Sequence, residues 1–241
     1  MNLVDIVTRI YVINLPERVD RKKEIQYALS NLGIEWQANK VMCWPAIRPN
    51  NSNGYPSIGA YGCFLSHLAA LQDAQRAEQG WVLILEDDAI FTPAFTTQLP
   101  AIAQLLASEQ ADLIYLGHCQ VIGDTKPELG LSLTTQAIVG AHAYLVRIEY
   151  LSTLLPYLEG CLSRPAGDPM GGRLHYDGAL SLFRQFNPSC RTWIAQPSLI
   201  EQRFSRSDIQ AHKWYDRWPI LSQCAAWARK IKQAKRDIIS L

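Results

Sequence analysis

The chain lacks any apolar run long enough to cross a membrane. Its 241 residues are 48% hydrophobic and 19% charged, yet no stretch approaches the roughly 20 consecutive apolar residues of a membrane span. Residues 1–5 have neither a basic start nor an apolar core, so no secretory signal is expected. We therefore expect a cytoplasmic protein whose length suits one large α/β domain.

Paired cysteines are also missing. The six cysteines are scattered and form no CxxC pair, which argues against a zinc knuckle and against a disulfide framework. Free thiols in a reducing compartment are the default expectation. The cysteines are Cys43, Cys63, Cys119, Cys161, Cys190 and Cys224.

Net charge is small, because 23 basic residues face 22 acidic ones. The overall charge therefore gives no indication of nucleic acid binding. The C-terminal part differs, since residues 213–241 carry seven basic and two acidic side chains, a local net charge of +5. Apolar residues at helical spacing and several tryptophans favour a basic amphipathic helix that lies on a membrane surface. A helix that packs on the domain with a solvated basic face is the alternative. We divide the chain into a domain, 1–210, and this extension, 211–241.

The most informative stretch is 81–88, WVLILEDD. Its five leading apolar residues predict a strand buried on both faces, as in the centre of a parallel sheet. Ligands of such sheets bind beyond the carboxyl ends of the strands, where Glu86, Asp87 and Asp88 follow. Strand alternation would put Glu86 and Asp88 on one side, where they could hold one Mg²⁺ or Mn²⁺ that offsets the repulsion between like charges. An acidic turn that is solvated or caps the next helix is the alternative.

Basic residues follow the first predicted strand, 10–15. Arg18 and Arg21 open the next helix three residues apart, so they would share one face and suit a diphosphate. A solvated basic helix face is the alternative explanation.

A second helix carries Cys63, Ser66 and His67. Cys63 and His67 form only half of a metal site, and a single histidine on a helix is usually packed or exposed without a chemical role. Further along, Asp177 stands between a glycine-rich loop and a helix, where it could be a general base or an N-cap.

The remaining pattern predicts a strand within 35–46, a loop at 48–56 and a helix that begins at Pro100. A long loop, 118–135, is expected next, then a strand over 137–146 in which Gly140 marks a bulge or a close backbone approach. A last strand is predicted at 191–195. No GxxxxGK[ST] motif is present, which argues against a phosphoryl-transfer enzyme.

Several stretches in one order resemble the bacterial lipooligosaccharide galactosyltransferases of glycosyltransferase family 25, which are related to the collagen galactosyltransferases. The resemblance covers about 9–210 and excludes the tail. The stretches that carry it are YVINL (11–15) with Arg18 and Arg21, GAYGCFLSH (59–67), LILEDD (83–88), GAHAY (140–144), Asp177, and QPS (196–198) with SDI (207–209).

The resemblance implies one GT-A-type, Rossmann-like domain that moves a hexose, often galactose, from a UDP-sugar to a glycan or glycolipid acceptor with inversion. Lipopolysaccharide or another surface glycan would be the acceptor. Glu86 and Asp88 match a motif that is Asp-x-Asp elsewhere, so they would bind Mn²⁺ or Mg²⁺, with Asp87 as the alternative ligand. Asp177 would be the base, with Asp168 in reserve. The expected nucleotide-sugar contacts are Asn14, Leu15, Arg18, Arg21, Ser66, His67, Glu86, Asp87, Gly140 and Gln196.

Two points stay open at this stage. Residues 44–47 depart from the family pattern, in which a small acidic-glycine turn is usual, so the loop near the sugar is undefined. A non-catalytic module that binds nucleotide sugars or glycans on the same fold is the rival hypothesis, because a fold does not imply a function.

Overall fold

A seven-stranded sheet with helices on both faces forms the centre of the protein. The computed structural model describes residues 3–36, 40–123 and 128–203. The predicted extension, 211–241, lies outside the described residues, so its helix and the boundary at 210 remain predictions.

The elements alternate between strands and helices for most of the chain, as expected of an α/β fold. The strands are β1 (Arg9–Asn14), β2 (Val41–Pro45), β3 (Trp81–Glu86), β4 (Ala89–Phe91), β5 (Leu113–Gly117), β6 (Gln120–Ile122), β7 (Gly130–Leu133), β8 (Ala137–Val139), β9 (Ala143–Arg147), β10 (Thr192–Gln196) and β11 (Ile200–Gln202). The helices are α1 (Leu3–Ile6), α2 (Val19–Ser30), α3 (Ile58–Ala74), α4 (Pro93–Ala107), α5 (Leu151–Ser163) and α6 (Tyr176–Phe186), with a 3₁₀ turn at Ile148–Tyr150 before α5.

The strand order of the main sheet is β2-β1-β3-β9-β5-β10-β7. Strand β1 pairs in parallel with β2 and β3, and β5 pairs in parallel with β10. Strand β9 is antiparallel to both β3 and β5, so β5 points the same way as β3, and β7 is antiparallel to β10. Five of the seven strands therefore run in one direction, which confirms a mostly parallel sheet. Two small two-stranded sheets, β4 with β11 and β6 with β8, flank it.

Strand β3 lies within the sheet, as its apolar sequence predicts. Its first five residues are 5% exposed or less, because helices cover both faces. On one face its side chains pack with apolar residues of α3, α5 and α6, and on the other with those of α1, α2 and α4. Because β1 pairs in parallel with β2 and β3, the carboxyl ends of these three strands meet at one edge of the sheet.

The fourth helix begins earlier than predicted. Pro93, not Pro100, occupies its first turn, and Thr92 precedes it as the N-cap. Pro100 lies inside the helix, where it removes a backbone donor at a cost of about 3 kcal/mol. Burial of the apolar face formed by Phe95, Leu99 and Ile102 offsets that cost.

Three local predictions between 118 and 177 need correction. The expected loop at 118–135 contains β6 and β7, because β6 pairs with the nearby β8 and β7 pairs with β10 far along the chain. The expected strand at 137–146 is divided into β8 and β9 at Gly140, whose φ of +84° and close approach to Cys119 fit the predicted bulge or backbone contact. His175, rather than Asp177, is the N-cap of α6.

None of the helices in the described ranges is both long enough and apolar enough to span a bilayer.

Candidate functional site

A cavity of about 700 Å³ opens at the edge of the sheet where β1, β2 and β3 end. Its volume falls within the range of small-molecule sites. Part of the wall is apolar and part carries charges of both signs, so the cavity suits a ligand with both an apolar and a polar portion. The lining residues are Ile13, Leu15, Glu17, Arg18, Ala46, Ile47, Arg48, Pro49, Ile58, Gly59, Gly62, Cys63, Ser66, His67, Glu86 and Asp87.

One face of α3 forms a wall of this cavity. Ser57 caps the helix by accepting a hydrogen bond from the Ala60 N–H at 2.9 Å. Five residues then recur at i, i+3, i+4, i+7 and i+8, which places them on one face. They are Gly59, Gly62, Cys63, Ser66 and His67. Four of the five are small, so the helix can lie close to its neighbours and leave space for a ligand.

Ser66 holds the segment after β2 against this helix. Its Oγ accepts a hydrogen bond from the Ile47 N–H at 2.7 Å and donates to the Gly62 carbonyl at 2.6 Å. A Cβ on Gly62 would lie 2.5 Å from the Ile47 carbonyl oxygen. Ser66 was predicted to contact the donor, which stays a prediction; it lines the cavity, and its two hydrogen bonds also hold the cavity wall in position. Residues 44–47, which the sequence left undefined, supply Ala46 and Ile47 to that wall.

His67 links α3 to the first acidic residue. It is 1% exposed, stacks on Tyr176 with ring centroids 4.3 Å apart, and its Nδ1 lies 3.1 Å from the Tyr144 hydroxyl. These contacts point Nε2 at Glu86, whose Oε1 is 3.5 Å away. The sequence alone favoured a histidine that is packed or exposed without a chemical role, and the structure shows a packed histidine that also lines the cavity.

The three acidic residues after β3 each face a different partner. Glu86 accepts a hydrogen bond from the Gln202 side chain at 3.1 Å besides its contact with His67. Asp87 accepts one from Asn14 at 2.7 Å, and Asp88 forms an ion pair of 3.6 Å with Arg21. The like charges are therefore offset by protein groups.

Glu86 and Asp88 remain a prediction as a pair of metal ligands, and each contacts a different protein group, His67 for Glu86 and Arg21 for Asp88. Strand β3 ends at Glu86, so the alternation that would align the two side chains does not continue into the turn at 87–88. Among the described residues, the group of ionisable or thiol side chains close enough to share a cation is Cys63, His67 and Glu86, and Asp88 is not part of it. This donor set does not fit Mg²⁺, which prefers oxygen ligands.

Burial and local partners set the charge of the two acids that line the cavity. Burial acts to raise the pKa of Glu86, but the hydrogen bond and charge of His67 outweigh it, so this pKa lies below its usual value. Burial raises the pKa of Asp87, and the hydrogen bond from Asn14 counteracts it only in part.

The two arginines predicted to grip a diphosphate have different carboxylate partners. Arg18 is the N-cap of α2, with non-helical backbone angles. Arg18 lines the cavity, and its guanidinium binds Asp20 at 2.9 Å. Arg21 is buried against Asp88. The second basic residue of the cavity is Arg48, which forms an ion pair of 2.8 Å with Glu17. Its position just beyond β2, at the same sheet edge, is the signal that sequence reasoning passed over.

The cavity lining does not include five other residues that the sequence predicted for the site: Asn14, Gly140, Asp168, Asp177 and Gln196. Asn14 is 2% exposed, and besides binding Asp87 it donates to the Arg18 carbonyl at 3.1 Å, so it positions the wall from behind. Asp177 accepts hydrogen bonds from the N–H groups of Gly140 and Gly178, both at 2.8 Å, and thereby joins α6 to the turn before β9. Gln196 ends β10, outside the cavity lining.

The fold and the cavity define an α/β protein that takes its ligand at the carboxyl edge of a mostly parallel sheet. The profile of "Glycosyltransferase family 25 (LPS biosynthesis protein)" matches residues 7–128. The chain belongs to this family, which confirms the resemblance read from its motifs.

Relatives with curated descriptions agree with this family assignment, although their sequence identity to this chain is low. A "Glycosyltransferase 25 family member" of Drosophila melanogaster is 28% identical over 228 residues, which cover 86% of this chain and 36% of the relative. "Procollagen galactosyltransferase 2" of Mus musculus is 25% identical over 197 residues, which cover 74% of this chain and 31% of the relative. The chain thus spans about a third of the length of these relatives.

Among solved structures, a match is described as "Crystal structure of a glycosyltransferase involved in the glycosylation of the major capsid of PBCV-1". It is 12% identical, covers 85% of this chain and 97% of that one, and superposes with a TM-score of 0.48.

Proposed function

We propose that this protein is a glycosyltransferase that moves a hexose, galactose being the first candidate, from a UDP-sugar to a glycan acceptor with inversion. The observation that carries the proposal is the mixed apolar and charged cavity at the carboxyl edge of the sheet in a chain of family 25. Galactose is suggested by the procollagen galactosyltransferases among the relatives. Lipopolysaccharide or another surface glycan is suggested by the description of the family.

The walls of the cavity suit the parts of a nucleotide sugar. Leu15 and Ile47 offer apolar surface to a base, and Arg18 and Arg48 bring two guanidinium groups to a diphosphate. Each arginine already has a carboxylate partner, Asp20 or Glu17, at the exposed side of the site. An entering diphosphate would replace these weak surface pairs with charge-assisted hydrogen bonds.

The reaction would be one displacement at the anomeric carbon. The acceptor oxygen forms a bond to that carbon while the bond from carbon to the diphosphate oxygen breaks, and the acceptor's proton passes to a carboxylate. Asp177 remains our proposal for this base, with Asp168 in reserve. Arg18 and Arg48 stabilise the negative charge that develops on the departing nucleotide.

A panel of nucleotide sugars tests the proposal directly. UDP-galactose should raise the melting temperature of the full-length protein more than other nucleotide sugars do, because a ligand that binds only the native state stabilises it. Arg48→Ala should weaken this shift, whereas Arg76→Ala, an exposed position after the end of α3 and outside the cavity lining, should not.

Transfer to an acceptor glycan, with and without Mn²⁺, then separates a transferase from a module that only binds. Donor binding without turnover under both conditions would support the non-catalytic alternative, and no binding of any nucleotide sugar would overturn the proposal. Assistance by Mn²⁺ or Mg²⁺ is a separate prediction of the same assay.

We also propose that the protein acts at the cytoplasmic face of the membrane through residues 211–241. The basic and tryptophan-rich sequence of this extension supports the proposal. Full-length protein should co-sediment with vesicles that contain anionic lipid, and a chain that ends at Gln210 should not. Equal binding by both chains would remove the extension from this role.

A further inference from the structure

Cys63, His67 and Glu86 converge on the wall of the cavity. Cys63 and His67 are four residues apart on α3, so their side chains lie on one face of the helix. Glu86 reaches the same point from the carboxyl end of β3. The Cys63 Sγ, a ring nitrogen of His67 and a carboxylate oxygen of Glu86 all lie within 4.8 Å of one another. All three residues line the cavity.

The spacing of these atoms suits ligands around one ion. Two nitrogen or oxygen ligands of a tetrahedral zinc ion, each about 2.0 to 2.1 Å from the metal, lie about 3.4 Å from each other. His67 Nε2 and Glu86 Oε1 are 3.5 Å apart. That separation is longer than the 2.7 to 2.9 Å typical of a charge-assisted hydrogen bond. A zinc–sulfur bond is about 2.3 Å, which puts the sulfur about 3.6 Å from each of the other two ligand atoms, so a shift of up to about 1.4 Å completes a three-ligand arrangement.

Neighbouring side chains form hydrogen bonds to two of these ligands, as the residues around the ligands of known metal sites do. A histidine that binds a metal through one nitrogen usually donates its other N–H to an oxygen, which fixes the ring. His67 Nδ1 has such a partner in the Tyr144 hydroxyl at 3.1 Å, and that hydroxyl lies 2.8 Å from the Tyr176 hydroxyl. Gln202 fixes Glu86 by donating to its Oε2 at 3.1 Å. His67 and Glu86 are thus oriented before a cation binds.

We propose that Cys63, His67 and Glu86 bind a divalent cation that accepts sulfur and nitrogen ligands, with Zn²⁺ or Co²⁺ as the class. A thiol and an imidazole favour these ions over Mg²⁺, and the fourth coordination position opens to the cavity. The site differs from the predicted pair of Glu86 and Asp88 in its ligands and in its metal preference. It does not depend on whether the protein transfers a sugar.

Titration of the full-length protein with Co²⁺ under reducing conditions tests the site without any activity assay. Wild-type protein should develop the charge-transfer absorption of a cobalt–thiolate bond, and Zn²⁺ but not Mg²⁺ should abolish it. Cys63→Ser should lose this band and bind Co²⁺ more weakly by about 100-fold or more, since even outer-shell changes cost 10- to 100-fold. Cys43→Ser is the matched control, because Cys43 is partly buried near the same sheet edge but outside the cluster. It should keep the band.

A second measurement uses only the wild-type chain, so it does not depend on whether a variant folds. Zn²⁺ should slow alkylation of Cys63 and leave the rate at the exposed Cys119 unchanged, as resolved by mass spectrometry of the peptides. Tyr144→Phe, which removes the hydroxyl beside His67, should weaken Co²⁺ binding 10- to 100-fold while keeping the thiolate band. A cobalt complex without thiolate absorption, or equal protection of both cysteines, would overturn the proposal.

Discussion

The role of each residue at this site depends on the residues that it contacts in the folded protein. Asn14 and Ser66 have the right chemistry for a nucleotide, yet each uses its polar atoms inside the protein. Arg48, which no motif marks, ends up in the cavity lining. Side-chain chemistry therefore states what a residue can do, and its partners decide whether those atoms remain available for a ligand.

Asp177 is the residue for which this distinction matters most. Its carboxylate bridges Gly140 and Gly178, a structural role that does not exclude proton transfer. Asp177→Asn should reduce kcat for transfer by about 10² to 10⁴, the range for a general base, because an amide cannot accept the acceptor's proton. The amide oxygen can accept only one of the Gly140 and Gly178 N–H groups, so stability should fall by about 1 to 3 kcal/mol, while the rise of the melting temperature with donor should persist.

The control for this prediction is Asp168→Asn, in a loop where the Asp168 side chain accepts from the Met170 N–H at 2.8 Å. Transfer by this variant should be near wild type. Full activity of Asp177→Asn, or loss only in step with lost stability, would remove Asp177 from the catalytic role.

Helix α3 is the element on which the cavity depends. Its glycines at 59 and 62 both line the cavity but differ in their surroundings. A Cβ at Gly62 would meet the Ile47 carbonyl oxygen at 2.5 Å and the Pro49 side chain at 3.1 Å, whereas at Gly59 it would meet only the Ser57 hydroxyl at 3.7 Å. The contact of α3 with the segment after β2 thus requires a glycine at one of these two positions.

The pair Gly62→Ala and Gly59→Ala should therefore change stability in opposite directions. Alanine at 59 should raise the free energy of unfolding by roughly 0.5 to 1 kcal/mol through helix propensity. Alanine at 62 should lower it by about 1 to 3 kcal/mol, because overpacking outweighs the same gain. Urea denaturation measures both values. Equal effects of the two substitutions would show that the segment with Ile47 and Pro49 makes room for an alanine at 62 without loss of stability.

Element-scale predictions succeeded where local pattern and tertiary contacts agree. The apolar run of β3 and the apolar face of α3 predicted both elements, because burial on the sheet rewards those patterns. The prediction that α4 begins at Pro100 was wrong, because the helix starts at Pro93 and contains Pro100. Burial of its apolar face on the sheet outweighs the local tendency of proline to begin a helix. Strand β7 was missed because its partner β10 is distant in sequence, and β6 was missed because it is only three residues long.

At the scale of the whole molecule, buried ionisable groups make stability depend on pH. Burial, reinforced by the charge of His142, lowers the pKa of His118 from 6.5 to about 4. Since the folded state holds this ring neutral, the unfolded chain takes up the proton first as the pH falls. The stabilisation is complete above pH 6.5, declines between 6.5 and about 4, and stops declining below that.

Asp112 acts at lower pH. Burial alone would raise the pKa of this carboxyl, but hydrogen bonds and charge from Arg191, with the charge of Arg147, hold that pKa below its usual value of 3.8. Its contribution is therefore complete above pH 3.8 and is lost as the pH falls below that value towards the folded pKa.

The free energy of unfolding, measured in urea across this range, should fall by roughly 2 to 3 kcal/mol from the His118 contribution between pH 7 and 4. His118→Gln should flatten the profile in that window and keep the steeper loss below it. A wild-type profile that is level between pH 6.5 and 4, or an unchanged profile in the variant, would contradict this assignment.

The sequence by itself determined the α/β class, the central strand before three carboxylates, the helix with Cys63 and His67, and membership of family 25. These features are encoded in short-range patterns, since periodicity, caps and motif order need no knowledge of distant contacts. Only the tertiary structure decided which residues meet at the edge of the sheet. In the folded protein Glu86 lies beside His67 and Cys63, Asp88 pairs with Arg21, and Arg48 lines the cavity. The reason is that a side chain's partners depend on how strands and helices far apart in sequence pack together, which no local pattern specifies.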